Sequence, residues 1–202
     1  MKKKALNELK ALLDLKLSCY NHSNFIEDDP IVILHRFQMK QDIEIIGLLM
    51  ATIAWGNRKS IIKSGEKLLD IMGGQPYHFV QNYNGDVQPD YHFVHRTFQT
   101  EDLHFFVSAL HRLYQEHDSM EKVFQTNTSM PGALGRIVSF RNYMLQTQHA
   151  LRSKKHLSNP LKNSAAKRLN MFLRWMVRRD ELLEPRASCC SRGGDGAREH
   201  DR

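Results

Sequence analysis

The chain contains 202 residues and carries a formal net charge of +7. A chain of this length usually forms one domain or two small ones, and it is long enough to bury a sizeable core. Its three cysteines include no spaced pair, which argues against a disulfide framework and against a zinc site. No apolar run approaches the length of a membrane span, and no apolar signal-peptide core follows residues 1–4. We therefore expect a cytoplasmic protein that does not bind membranes.

Helical patterns dominate the first part of the chain. Residues 3–19 carry leucines at helical spacing and predict an amphipathic helix. Residues 31–34 are short and bulky, and because no partner strand is evident we interpret them as the start of a helix. Residues 42–55 are nearly continuously apolar, and a run of more than about ten such residues is a buried helix more often than a strand. We predict that they form the central core helix, with Asp42 as the N-cap.

The rest of the chain is also predicted to be helical. Gly56 and Asn57 are typical helix stops, and residues 73–93 read as irregular turns. Further helices are predicted over residues 61–72, from a Thr100 cap to Tyr114, over residues 119–126 with Ser119 as the cap, and over residues 132–148. Because no strands pair convincingly, the predicted fold class is all-α, a multi-helix orthogonal bundle with a hairpin-like basic helix near the C-terminus. His104, His111 and His117 lack the spacing of a helical metal pair, so we expect no metal site and no cofactor.

Positive charge is concentrated in one short region. Residues 1–150 contain 16 Lys or Arg and 16 Asp or Glu, whereas residues 151–180 contain nine Lys or Arg against Asp180 alone. A charge excess confined to one segment favours a polyanionic partner, and nucleic acid is the commonest one. We therefore expect DNA as a partner. The alternative is a solvated basic face on an ordinary packed helix.

Residues 159–179 combine a turn with an amphipathic basic helix. Asn159 and Pro160 signal the turn, and Asn163 or Ser164 is expected to cap the helix that follows. A turn with open backbone N–H groups, a helix N-terminus and clustered cations together suit a phosphate. The predicted apolar stripe of the helix consists of Leu169, Phe172, Leu173, Met176 and Val177. The residues expected to contact nucleic acid are Lys155, Lys162, Asn163, Ser164, Lys167, Arg168 and Arg174.

Three stretches resemble an uncharacterised bacterial family, the domain of unknown function 2400 family. They are residues 42–69, the motif His95-Arg96-Thr97-Phe98 with Glu101-Asp102-Leu103, and residues 164–178. The runs are long and in the same order, and the resemblance covers residues 1–180, which we interpret as one helical domain. That family is in turn distantly similar to the helix-hairpin-helix DNA glycosylases, in the order of a buried helix, a polar turn and, much later, a hairpin and a lysine.

The resemblance to the glycosylases implies a DNA-repair enzyme, a base-excision glycosylase or lyase. Residues 160–164 would be the DNA-gripping hairpin, although Lys, Asn and Ser stand where such hairpins usually have glycines. Lys167 would match the lysine that attacks the sugar carbon and forms a Schiff base, and its alternative role is a simple phosphate contact. The residues that would lie near the base pocket or the opposite strand are Trp55, Asn57 and Arg58.

The end of the chain departs from both families, which continue with further helices that include the one carrying the catalytic Asp. Residues 181–202 are poor in apolar side chains after Leu183 and have no helical period, so we interpret them as a disordered, frameshifted or vector-derived tail. The C-terminus would then be truncated and the enzyme inactive. Two other hypotheses are a non-catalytic nucleic-acid-binding helical module, and a helical interaction domain without a nucleic-acid role that self-associates through exposed apolar surface.

Overall fold

The computed structural model describes residues 2–20, 24–85, 90–125, 130 and 132–178. The predictions for residues 181–202, which include a non-native tail and the missing catalytic Asp, lie outside the described residues. The domain boundary predicted at Asp180 lies outside them as well.

Helices make up nearly all of the regular structure, and the all-α fold class is confirmed. The α-helices described are, in chain order, α1 (Lys2–Tyr20), α2 (Asn24–Glu27), α3 (Lys40–Ile53), α4 (Arg58–Ile71), α5 (Pro76–Gln81), α6 (Thr100–Glu116), α7 (Met120–Gln125), α8 (Gly132–Met144) and α9 (Lys167–Val177). Segments of 3₁₀ helix lie at Pro30–Arg36, Leu151–His156 and Pro160–Lys162. A short antiparallel hairpin joins β1 (Val94–His95) to β2 (Phe98–Gln99), with Val94 opposite Gln99.

The core is built around α3, as predicted. Every residue from 42 to 53 is buried, because a nearly continuous apolar sequence leaves the helix no polar face for solvent. Helices α9, α5 and α4 and the Pro30–Arg36 segment all pack against it. Gly47 allows the close approach of α9, since a Cβ at this position would lie 3.0 Å from Met176 Cε and 3.3 Å from Phe172 Cε2.

The buried face of α9 differs from the predicted stripe near its C-terminus. Leu169, Phe172 and Trp175 are buried, whereas Val177 is 68% exposed. Val177 is the last residue of the helix, so the core ends before it. The prediction that Val177 belongs to the buried stripe is wrong, and Trp175 takes part in the core instead.

A buried glutamate on α3 holds the start of α7. Glu44 accepts hydrogen bonds from Tyr114 Oη at 2.9 Å, from Ser119 Oγ at 2.8 Å and from the backbone N–H of Met120 at 2.8 Å. The Met120 N–H belongs to the first turn of α7 and would otherwise lack a partner. An acid inside an apolar helix therefore fixes the position of a helix that is distant in sequence.

A second acid on α3 acts in the same way on α5. Asp42 Oδ1 accepts a hydrogen bond from the backbone N–H of Tyr77 at 2.8 Å, in the first turn of α5. Helix α3 itself begins at Lys40, and its N-cap, Met39, makes no side-chain capping bond. The prediction that Asp42 caps α3 is therefore wrong, because this carboxylate caps a neighbouring helix.

The caps of α6 and α7 give one wrong prediction and one confirmed one. Asp102 Oδ2 accepts a hydrogen bond from the N–H of Gln99 at 2.9 Å, and Gln99 rather than Thr100 is the N-cap of α6. Thr100 Oγ1 is instead bonded to the backbone of Phe93. Ser119 Oγ accepts from the N–H of Glu121 at 3.1 Å, so Ser119 caps α7 as predicted.

Helix α1 lies apart from this core. All its residues from 5 to 20 are exposed, and its leucines are between 50% and 64% exposed, at Leu9 and Leu6 respectively. The leucine spacing predicted the helix correctly. It did not predict that the stripe would remain uncovered.

Candidate functional site

The predicted basic turn is exposed on the surface. Asn159 Oδ1 accepts a hydrogen bond from the N–H of Leu161 at 3.0 Å and opens the Pro160–Lys162 segment. Asn163 follows in the left-handed region with φ 58°, which asparagine adopts more readily than most residues. Residues 161–165 are all exposed. The N–H groups of Lys162 and Asn163 donate to Asn159 O at 3.1 Å and to Pro160 O at 3.2 Å, so these two donors and that of Leu161 are already bonded within the bend.

Helix α9 begins without a side-chain cap. Its N-cap, Ala166, lies in the left-handed region with φ 46°, and the N–H of Asn170 donates to Ala166 O at 2.9 Å. Ser164 Oγ accepts from the N–H of Ala166 at 3.2 Å and not from the helix. The prediction that Asn163 or Ser164 caps this helix is therefore wrong. As a consequence, no side chain among the described residues caps the first N–H groups of α9.

A shallow, open depression lies at the start of α9. Its volume is about 260 Å³. The residues that line it are Ser158, Ser164, Ala165, Ala166, Lys167 and Arg168. No acid stands in the first turn of α9, where a negative side chain would stabilise the helix. The depression therefore presents positive and hydrogen-bond-donating groups.

The cations of α9 point in two directions. Lys167 and Arg174 are exposed, and because they lie about two helical turns apart they share the outward face. Arg168 is half-buried, and its Nη1 donates to Thr52 O at 2.7 Å while its Nη2 donates to Lys155 O at 3.3 Å. Burial lowers the pKa of Arg168. Arg168 thus ties the start of α9 to the end of α3 and to the Leu151–His156 segment.

Lys155 and Lys162 are exposed on the loop that leads from α8 to α9. Within the described part of the chain, no salt bridge involves Lys155, Lys162, Lys167 or Arg174. The sequence also has no acidic residue between Glu121 and Asp180. These four exposed side chains lie in the segment from Lys155 to Arg174, and we call them the basic surface.

Arg152 fixes the same loop from the opposite side. Its Nη2 donates to Thr97 O at 2.9 Å and lies 3.3 Å from Asp102 Oδ2. Asp102 is fully buried and also accepts from Ser153 Oγ at 2.7 Å. Arg152 and Arg168 are therefore engaged inside the protein, and the positive charge of this region is only partly available to an external anion.

His156 is buried beside Asp102. Its Nε2 lies 3.3 Å from Asp102 Oδ2, and its ring meets the edge of the Phe98 ring at 4.9 Å between centroids. Burial lowers the pKa of His156 to about 4, although the Asp102 carboxylate opposes the shift. The ring is therefore neutral at neutral pH and packs the loop against the β-hairpin.

Trp55 lies just beyond α3, next to an arginine from the β-hairpin. The Arg96 guanidinium lies over the indole, 5.4 Å from the ring centroid. Arg96 has φ 55°, and left-handed backbone costs a residue with a side chain roughly 1–2 kcal/mol. Gly56, with φ 112°, leaves room for this arginine, since a Cβ there would lie 2.8 Å from Arg96 Nε.

Asn57 and Arg58 lie where α4 begins. The Asn57 side chain accepts from the N–H of Lys59 at 2.9 Å and caps the helix, while Arg58 and Lys59 are exposed in its first turn. None of Trp55, Asn57 and Arg58 lines the depression at α9. Arg168 bonds to the carbonyl of Thr52, shortly before Trp55, and so connects α9 to the end of α3. Their assignment to a pocket stays a prediction.

The histidines of α6 make contacts within the protein. Tyr83 Oη lies 2.6 Å from His104 Nε2, and His111 Nδ1 lies 2.8 Å from Val80 O. Among the described residues, no group of three or more His, Cys, Asp or Glu side chains could hold a metal ion. None of the helices described is both long and apolar enough to cross a membrane.

No local pattern marks Arg152 or His156 as functional residues, and Arg96 is marked only by its place in the motif that carries the family resemblance. Asp102 carries a local signal, since an acid three residues after an N-cap is typical of a capping box. Its contacts to Arg152, Ser153 and His156 join segments that are distant in the chain. No local pattern marks such contacts, so they could be found only in the folded molecule.

Comparison with known proteins identifies the family to which the chain belongs. The family described as protein of unknown function (DUF2400) matches residues 29–184. No curated protein and no solved structure matches the chain.

Proposed function

The chain belongs to the DUF2400 family, whose function is unknown, and from this premise we propose that it binds nucleic acid, with duplex DNA as the partner. The observation that supports the proposal is the exposed bend over residues 161–165 together with the basic surface. Backbone N–H groups at a helix start that has no side-chain cap, such as α9, together with Lys and Arg side chains, are the usual ligands of a phosphate.

Such an interface holds the sugar-phosphate backbone and does not read bases. Binding is therefore expected to be independent of sequence and steeply dependent on salt. If each of the four cations of the basic surface neutralises one phosphate, the slope of log affinity against log salt is on the order of −3 to −4. In this proposal Arg168 is a positioning residue, because its guanidinium is already bonded to Thr52 O and Lys155 O.

The test is a charge-reversal pair on the basic surface compared with a matched pair elsewhere. Lys162→Glu with Lys167→Glu should weaken binding to a labelled duplex and flatten the salt slope by about 2, since each phosphate contact contributes about 1. The control, Lys10→Glu with Lys16→Glu, makes the same charge change on exposed positions of α1. Fluorescence anisotropy over a salt titration measures both quantities.

Equal losses of affinity in the two double variants would mean that only overall charge matters. The proposed interface at the basic surface would then be rejected. Absence of binding by the wild-type protein would leave the third hypothesis, a helical interaction domain without a nucleic-acid role.

A second candidate function, a DNA glycosylase or lyase, is favoured only by the place of Lys167, which lines the depression at the start of α9. In this reaction the lysine amine adds to C1′ of the sugar at an abasic site, and water leaves as the Schiff base forms. A nucleophilic lysine must be partly neutral, which usually requires a desolvated site. Lys167 is exposed, so a phosphate contact is the role that its surroundings favour.

Borohydride trapping on abasic-site DNA separates these two roles, because borohydride reduces the Schiff base to a stable amine. A covalent adduct that forms with the wild type and with Lys162→Ala, but not with Lys167→Ala, would support the enzyme. No adduct with the wild type would remove the enzymatic role and leave the binding proposal standing.

A further inference from the structure

The contact between Trp55 and Arg96 lies outside the basic surface and is formed by two separate parts of the chain. Trp55 follows α3, Arg96 is at the tip of the β-hairpin, and the guanidinium lies 5.4 Å from the centroid of the indole. Arg96 is exposed and Trp55 is only partly buried. The stacked pair is therefore at the surface, where a ligand could replace one of its members.

The hairpin tip is held firmly on both sides of Arg96. His95 Nδ1 lies 2.8 Å from Ser64 Oγ, and Thr97 O accepts from Arg152 Nη2 at 2.9 Å. The left-handed backbone of Arg96 is retained although its side chain makes it unfavourable. These anchors fix the backbone of Arg96, and its guanidinium lies across Gly56 and over the indole.

The indole also carries an unsatisfied hydrogen-bond donor. Trp55 Nε1 is buried and finds no acceptor within the described ranges of the chain. Leaving a buried donor without a partner is unfavourable, and within those ranges no hydrogen bond fixes the orientation of the indole.

We propose that the Trp55 indole is a stacking site for an unpaired nucleobase, whose place is taken in the isolated protein by the Arg96 guanidinium. A base and a guanidinium are both planar, and both stack on aromatic rings. When a base displaces it, the Arg96 guanidinium is available to a neighbouring phosphate. Exposed Arg58 and Lys59 lie at the start of α4, close to Trp55 in the chain, and add to the positive charge there.

This inference rests on the proposed nucleic-acid function and makes its partner more specific. Arg168 bonds to the Thr52 carbonyl, which places the start of α9 against the end of α3, and Trp55 follows shortly after Thr52. A strand held by the basic surface can therefore extend to Trp55. The preferred partner is DNA that contains an unpaired base, and a fully paired duplex should bind less tightly.

The experiment uses the 202-residue chain and compares its binding to a matched duplex with its binding to the same duplex carrying a single unpaired adenine. The wild type should bind the second duplex roughly tenfold more tightly, which is the scale of one base stacked on an aromatic ring. Trp55→Ala should abolish this preference, and Trp55→Phe should retain most of it because a ring remains. Equal affinity of the wild type for the two duplexes would overturn the inference, as would a preference that survives in Trp55→Ala.

A second measurement needs no variant. With 2-aminopurine at the unpaired position, stacking on the indole should quench its fluorescence when the wild-type protein binds. A rise in fluorescence would show an unstacked base and overturn the inference. If the wild type binds neither duplex, the proposed function itself fails. Salt-dependent binding without a preference for the unpaired base overturns the stacking site alone.

Discussion

At the scale of single residues, buried ionisable groups set much of the tertiary structure. Glu44 has three donors in two other helices or their caps, and Asp102 joins Arg152 and Ser153 to the start of α6. A buried carboxylate is stable only if such donors surround it. Removing one partner of such a group should therefore cost more than removing an exposed charge.

Glu44→Gln tests this expectation. The amide places N–H groups where the carboxylate accepted hydrogen bonds, so at least one donor loses its acceptor. We expect a loss of about 1–3 kcal/mol in the free energy of unfolding, measured by urea denaturation. The control is Glu121→Gln, which removes an exposed ion pair with Lys40 at 2.6 Å, and should cost less than about 1 kcal/mol. Similar losses in both variants would contradict the role of Glu44.

The lowered pKa of His156 predicts that the stability of the protein depends on pH. Its pKa is lowered to about 4 by burial, with Asp102 opposing the shift and Arg168 and Lys155 adding to it. Between pH 6.5 and 4 the unfolded chain takes up a proton that the folded protein does not, so stability should fall as the pH falls through this range. Over this range the histidine is expected to lower the free energy of unfolding by roughly 2–3 kcal/mol.

The measurement is the free energy of unfolding at neutral pH and at pH near 4. His156→Gln should flatten the pH dependence, because the variant lacks the titrating ring. His92→Gln removes an exposed histidine and serves as the control. If wild type and His156→Gln lose stability in parallel, the neutral buried ring is not responsible.

At the scale of elements, the packing of α9 against α3 determines where the basic surface lies. Gly47 gives the room for this contact, and its nearest neighbours are side-chain atoms of Met176, Leu34 and Phe172. Arg168 holds the beginning of the same helix by hydrogen bonds to two carbonyls. The position of Lys167 and Arg174 therefore depends on packing inside the protein.

Gly47→Leu should displace α9. A side chain of this size cannot fit among the three neighbours, and overpacking of this kind costs roughly 1–3 kcal/mol. Ala11→Leu, at an exposed position of α1, also enlarges a helical residue and should leave stability nearly unchanged. Urea denaturation gives the stability, and hydrogen exchange of the α9 amides reports the displacement. If the α9 amides of Gly47→Leu keep their protection from hydrogen exchange, the glycine is not needed for the packing of α9 against α3.

At the scale of the whole molecule, the described chain consists of a packed bundle and one helix outside it. The family match begins at residue 29, after α1, and residues 5–20 are exposed throughout. A helix whose described side chains, those of residues 5–20, are all exposed adds little to the stability of a fold. Its leucine stripe is available for contacts with other molecules.

Deletion of residues 1–20 should therefore leave the melting temperature almost unchanged, with a difference in unfolding free energy of about 0.5 kcal/mol or less. Thermal unfolding followed by circular dichroism measures the change. A fall of many degrees would show that α1 is part of the folded core. The shortened protein should also self-associate less if the exposed leucines mediate association, which analytical ultracentrifugation would detect.

The sequence by itself determined most of the helices and the concentration of positive charge. Apolar periodicity and charge are local properties, so the continuous apolar run of α3 and the spacing of Leu103, Phe106 and Leu110 in α6 predicted buried helices correctly. Helix caps were less predictable. Asp42 caps a helix far away in the chain, and no local pattern distinguishes this from capping its own helix.

Only the tertiary structure decided which cations are available to a ligand. Lys167 and Arg168 are adjacent and both basic, yet one is exposed and the other is bonded to Thr52 O. Each step along an α-helix rotates the side chain by about 100°, so the direction of the core relative to the helix decides whether each side chain is buried or exposed. That direction is set by the packing of α9 against α3, which depends on contacts between residues far apart in the sequence.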